Sequence, residues 1–177
     1  MDDNYLVLTA VGNDHPGIVD RLSMAIVENG CNIMDSRMTV LGGEFAVLLL
    51  IAGKWNALAK LENALNGIKE ELDLFIQTKR TEMSSQPDKK LLAYRVEVVA
   101  IDHPGIVYQI ASFFSAREIN IRELVTSSYS APHTGTPMFS LDMILDVPAH
   151  IRIANLREDF LEFCDDLNMD AILEPSK

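Results

Sequence analysis

Apolar residues recur along this chain with two different periods. At Ile18, Val19, Leu22, Ala25 and Ile26 they line one face of a helix, and the same spacing returns at Ile106, Val107, Ile110, Phe113 and Phe114. Two longer runs, Leu58, Leu61, Leu65, Ile68, Leu72 and Ile153, Leu156, Phe160, Phe163, Leu167, step by 3, 4, 3 and 4. They predict a second pair of helices. The intervening segments are β-rich: Tyr5 to Val11, Asn32 to Val40, Glu44 to Ala52 and Leu74 to Lys79, then Ala93 to Ile101, Asn120 to Ser128, Met138 to Asp146 and Met169 to Leu173. Gly42-Gly43 suits a tight turn between two of these strands.

The elements fall into two copies. Asp14-His15-Pro16-Gly17-Ile18-Val19 recurs unchanged at Asp102-His103-Pro104-Gly105-Ile106-Val107, an offset of 88, and Asn32-Ile33 recurs at Asn120-Ile121 with the same offset. Further on the offset becomes 94 or 95, because the second copy carries extra residues between Tyr129 and Met138, where a functional or mobile loop is expected. Each copy reads β-α-β-β-α-β, a split βαβ arrangement with two crossover helices on one face of an antiparallel sheet. The fold class is therefore α+β, with two ferredoxin-like domains. We place domain 1 at residues 1–83, a polar, Pro-containing linker at 84–91, and domain 2 at 92–177. Domains this small favour packing against one another, and the copies use up the chain, leaving no room for a catalytic or helix-turn-helix domain.

Charge narrows the function. The 177 residues hold 15 Lys+Arg against 26 Asp+Glu, a formal net charge of -11. Such a surface repels the phosphate backbone that a nucleic-acid binder must neutralise, so direct DNA contact is disfavoured. The longest apolar stretch, Phe45 to Ala52, is far shorter than the roughly 20 residues of a spanning helix, and the N-terminus lacks a basic leader. A cytoplasmic protein without membrane contact is expected. Cys31 and Cys164 stand apart, and His15, His103, His133 and His150 show no metal spacing, so no metal, no cofactor and no catalytic residues are expected. The acidic group Glu158, Asp159, Glu162, Asp165 and Asp166 falls mostly on the polar side of the last helix, a solvated face or an attraction for a basic partner.

Asp-His-Pro-Gly lies between a strand and a helix, where the first backbone N–H groups lack intrahelical acceptors. Asp or His can cap them, Pro needs no donor in the first turn, and Gly permits close approach to the backbone. Spacing alone leaves two readings open: a well-made helix start, or a cradle whose free N–H groups and helix dipole attract a carboxylate.

A strand, then Asp-x-Pro-Gly opening a helix, then Asn-Ile starting the next strand, resembles the ACT domain, a regulatory module that commonly binds amino acids. The resemblance covers both copies. A tandem pair of this length, with Ser-Ala-Pro-His-Thr-Gly-Thr-Pro-Met-Phe at Ser130 to Phe139, looks like the glycine cleavage system transcriptional repressor family. The resemblance implies two ACT-type domains side by side in one continuous eight-stranded antiparallel sheet, with amino-acid sites where strand-to-helix loops meet across the interface. It implies Asp14, His15, Gly17, Asn32 and Ile33 as ligand-binding residues in copy one, and Asp102, His103, Gly105, Asn120 and Ile121 in copy two. Several ligand-binding members carry Asn where this chain has Asp14 and Asp102, carboxylates that attract a ligand ammonium and repel a ligand carboxylate.

The resemblance further implies repression by contact with a DNA-binding transcriptional activator in response to glycine, with no enzyme activity of its own. An amino-acid-sensing subunit of a separate metabolic enzyme is the alternative, and a homo-oligomer is compatible with either.

Overall fold

A computed structural model describes residues 4–82 and 91–176. The chain divides into two compact units, Met1–Ser85 and Gln86–Lys177. The first contains β1 (Asn4–Asn13), α1 (Ile18–Glu28), β2 (Asn32–Leu41), β3 (Glu44–Gly53), α2 (Trp55–Glu71) and β4 (Phe75–Thr81). The second repeats the series as β5 (Leu91–Ile101), α3 (Ile106–Ser115), β6 (Asn120–Ser130), β7 (Pro137–Pro148), α4 (Ile153–Asp166) and β8 (Asp170–Pro175). The proposed linker at 84–91 lies outside the described residues except for Leu91, which opens β5.

Period-two alternation builds the sheets. In β1, Leu6, Leu8 and Ala10 point inward, and in β3 Phe45, Val47, Leu49 and Ile51 do the same. They pack beneath Leu22 and Ile26 of α1 and Leu58, Leu61, Leu65 and Ile68 of α2, the helical stripes read from the sequence. In the second unit Val96, Val98, Phe139, Leu141, Met143 and Leu145 lie beneath Ile110, Phe113, Phe114, Leu156 and Phe160. Fully burying each such aliphatic or aromatic side chain contributes roughly 1.5–3 kcal/mol before entropy is counted.

Strand order is β2-β3-β1-β4 in one sheet and β6-β7-β5-β8 in the other, and the strand pairings among the described residues are antiparallel. Among the described residues each unit thus forms a four-stranded antiparallel sheet of its own, as two ferredoxin-like domains require. The crossovers place β1 and β5 at sheet centres, already paired on both sides. At the outer edges β4 spans only seven residues and carries Lys79 and Arg80, while β8 spans six and ends in Pro175. Short, charged or Pro-terminated edges discourage further pairing.

The connection near Tyr129 to Met138 is shorter than the sequence suggests. β6 continues to Ser130, which pairs with Pro137 at the start of β7. The remaining turn closes on itself: Ala131 N–H donates to Thr136 O at 2.9 Å and Gly135 N–H to Ala131 O at 2.9 Å. The extra residues therefore lengthen an ordered hairpin.

Candidate functional site

The two Asp-His-Pro-Gly turns have the same construction. Gly17 and Gly105 take φ of 99° and 102°, a left-handed backbone that L side chains rarely adopt, and each precedes the first helical residue. Gly17 O accepts from Arg21 N–H at 2.9 Å, and Gly105 O from Gln109 N–H at 2.9 Å. No side chain caps either helix, so the leading N–H groups of α1 and α3 face outward without side-chain acceptors. His15 Nδ1 lies 3.0 Å from Pro16 O and His103 Nδ1 lies 3.1 Å from Pro104 O. Because a carbonyl only accepts, Nδ1 donates, which leaves Nε2 of the neutral ring as an acceptor. Asp14 and Asp102 are tied by their backbones to the neighbouring hairpin, to Gly43 O at 3.2 Å and Pro137 O at 3.0 Å. Their carboxylates, like both imidazoles, lie at the surface. Each turn thus offers N–H donors for a carboxylate, and an imidazole nitrogen and a carboxylate for an ammonium.

The strand-start residues are elsewhere. Asn32 pairs with Ala52 and Ala52 with Tyr5, at the opposite end of the sheet from Asn13, which pairs with Glu44. At about 3.3 Å per residue along β3, the turn and Asn32 are separated by on the order of 25 Å. The same holds in the second unit, where Asn120 and Ala93 both pair with Asp146, while Ile101 pairs with Met138. Within a unit, therefore, the structure brings Asp14, His15 and Gly17 together, and Asp102, His103 and Gly105 together, but not with Asn32 or Asn120. Ile33 and Ile121 pack against the cores.

The two strand-start corners share a bulge and differ in chemistry. The ladder slips between Ile33 and Asp35 and again between Ile121 and Glu123, so that Met34 and Arg122 are the inserted residues. Arg122 reaches back to form an ion pair with Asp146, and Asn120 Nδ2 stands 3.4 Å from the other carboxylate oxygen. Asp146 is 9% exposed, a burial that the adjacent guanidinium makes tolerable. In the first unit the equivalent positions are Met34 and Ala52, and Asn32 Nδ2 meets Met34 Sδ at 3.8 Å. A cavity of about 540 Å³ opens there, lined among others by Asn29, Cys31, Asn32, Met34, Lys54 and Lys60. Sequence reasoning passed over the Arg122–Asp146 pair. Its signal was the period-two placement of Asp142 and Asp146 within an otherwise apolar strand, which marks one face of β7 as polar.

Both cysteines are packed thiols. Burial raises the Cys31 thiol above its ordinary value, opposed by the Arg80 guanidinium. Burial, reinforced by Asp165, pushes Cys164 up to about 12. Among the described residues no group of three or more His, Cys, Asp or Glu is arranged to hold a metal ion, and no helix is long and apolar enough to cross a membrane.

Comparison with known proteins bears on what this geometry serves. The ACT domain family model matches residues 4–79. The glycine cleavage system transcriptional repressor of Escherichia coli K12 is 35% identical over 165 residues, covering 93% of this chain and 86% of the relative. A crystal structure of an unknown protein from Galdieria sulphuraria superposes with a TM-score of 0.81 at 26% identity, covering 99% of this chain and 100% of that one. Another, of a protein named provisionally as a glycine cleavage system transcriptional repressor, superposes with a TM-score of 0.75 at 28% identity, covering 100% of this chain and 99% of that one.

Proposed function

The chain belongs to the glycine cleavage system transcriptional repressor family, and from that premise we propose that it is an amino-acid-responsive repressor acting by protein contact. It binds glycine, and it represses by engaging a DNA-binding activator of the glycine cleavage genes in the cytoplasm, without turnover of a substrate. The observation that carries the reading is the duplicated turn: uncapped helix N–H groups, a His Nε2 acceptor and an Asp carboxylate held together at the openings of α1 and α3. A free amino acid presents complementary groups, a carboxylate for the N–H donors and an ammonium for the other two. The net charge of -11 supports action through a protein rather than on DNA. Ligand binding changes the activator's affinity by favouring one conformation of the repressor, and the coupling is reciprocal.

Calorimetric titration with glycine, against serine and alanine as comparisons, tests this. Selective, saturable glycine binding is expected, reduced at least tenfold in the His15→Ala, His103→Ala double variant. Retained binding in that variant but loss in Asn32→Ala, Asn120→Ala would move the ligand to the strand-start corners. Absence of binding to any amino acid would overturn the sensing role.

A further inference from the structure

The helix-covered faces of the two units are built differently, although their stripes share a period. In the first unit Arg21 of α1 grips Glu71 of α2, Nε standing 3.0 Å from each carboxylate oxygen and Nη2 3.0 Å from Oε2. The equivalent residues in the second unit are Gln109 and Asp166. The staple is gone, and the buried Gln109 Oε1 has no hydrogen-bond donor among the described residues.

Side-chain size changes in the same place. Where α1 and α2 carry Ala25 and Ile68, α3 and α4 carry Phe113 and Phe163, whose ring centroids lie 4.9 Å apart at a tilt of 35°. Phe113 also meets Phe114 at 5.2 Å and Phe160 at 5.3 Å. A groove of about 810 Å³ runs between α3 and α4 over these rings, with Tyr108 at its border 76% exposed.

Charge changes there too. The rim of the groove bears Asp159, Glu162 and Asp166. The first unit has Ala64 and Gly67 where the second has Asp159 and Glu162. Among the described residues that line the groove the one cation is Arg117, which lies 3.6 Å from the Phe113 ring centre, donates to Phe113 O at 3.0 Å, and approaches Asp159 at 3.7 Å. Glu162 and Asp166 are surface carboxylates with no ion pair among those seen in the described residues.

We infer that the α3–α4 groove of the second unit is the surface that receives a basic, apolar-anchored segment of the DNA-binding partner. This rests on the reading above that the partner is a DNA-binding activator. A DNA-binding protein carries clustered Lys and Arg for the phosphate backbone, and three rim carboxylates against one guanidinium suit those cations. The Phe113–Phe163 floor and exposed Tyr108 accept an apolar anchor, as interface hot spots do.

The test uses the full-length chain and the purified activator. A photo-crosslinking amino acid is placed at Tyr108 or at Asp20, its equivalent on α1, and affinity is measured for Glu162→Lys with Asp166→Lys. Crosslinking from position 108 only is expected, with affinity for the activator falling about tenfold or more through like-charge repulsion. The matched reversal on the first unit, Glu28→Lys with Glu70→Lys, should leave affinity within about twofold, since neither side chain is part of the groove lining. Thermal unfolding confirms that each variant is folded. If the wild-type chain binds the activator while the groove variant binds as tightly and position 108 gives no crosslink, the groove assignment is overturned and repression by protein contact stands. If the wild-type chain does not bind the activator, both readings fall.

Discussion

At the turns that open α1 and α3 the two units match: the same six residues, a left-handed glycine in each, and the same histidine contact at 3.0 Å and 3.1 Å. At the corners where β2 and β6 begin they part, the second unit placing an ion pair where the first has Met34, Ala52 and a cavity. The faces of the sheets opposite the helices follow the corners. There Val7, Thr9, Ala46 and Leu48 of the first unit correspond to Arg95, Glu97, Ser140 and Asp142 of the second, with Arg95 bonded to Asp142 and 3.2 Å from Glu97. Duplication of a fold preserves what the backbone requires, and side chains that do not shape the backbone are free to diverge. The units therefore carry equivalent turns on inequivalent surfaces.

The largest test of this contrast is an exchange of corners. Ala52→Asp inserts a carboxylate at a position 7% exposed that lacks the Arg122 partner of the second unit and has only Lys54 and Lys60 on the wall of the same cavity, and should destabilise the first unit by about 2–3 kcal/mol in urea unfolding. Adding Met34→Arg should recover much of that loss, a coupling that a double-mutant cycle reads directly. In the other direction, Asp146→Ala with Arg122→Met should cost less than Arg122→Met alone, because that single change leaves the buried Asp146 carboxylate without its guanidinium. Additive effects would mean that the bulges do not aim positions 34 and 122 alike.

A smaller effect sharpens the similarity of the turns. Gly17→Ala and Gly105→Ala meet no atom within 4 Å of the added Cβ, so the cost is backbone strain alone, about 1–3 kcal/mol each. Chemical denaturation should give the same loss for both. A clear inequality would show that the turns differ in ways their hydrogen bonds do not reveal.

The smallest effect concerns the thiols. Burial pushes the Cys164 thiol up to about 12, whereas Cys31 is 7% exposed at the cavity in the first unit, so iodoacetamide should label Cys31 first in the native protein. Because folding raises the Cys164 value above that of the unfolded chain, its contribution is complete below about pH 8.5 and is lost as pH rises toward 12. Cys164→Ser should flatten that alkaline decline in a pH series of melting curves.

Much of the architecture was legible in the residues. Helical stripes such as Leu58, Leu61, Leu65 and Ile68 announced their buried faces because a 3.6-residue period has few other uses, and the repeated hexapeptide located both strand-to-helix turns. The candidate site was legible only in parts. Asp14, His15 and Gly17 are adjacent in sequence and so remain adjacent in space. Asn32 carries the same motif-level signal, yet β3 carries its partner Ala52 to the far end of the sheet.

Local periodicity, turn chemistry and net charge belong to the sequence alone, because each depends on neighbours a few residues away or on a simple count. Pairings between distant residues belong to the tertiary structure. Arg122 meets Asp146 across a bulged ladder, Arg21 meets Glu71 between helices, and in the second unit, where that second contact is absent, a groove lies over Phe113 and Phe163. Such contacts are decided by strand register and helix packing, which the whole core sets at once, and no local pattern encodes them.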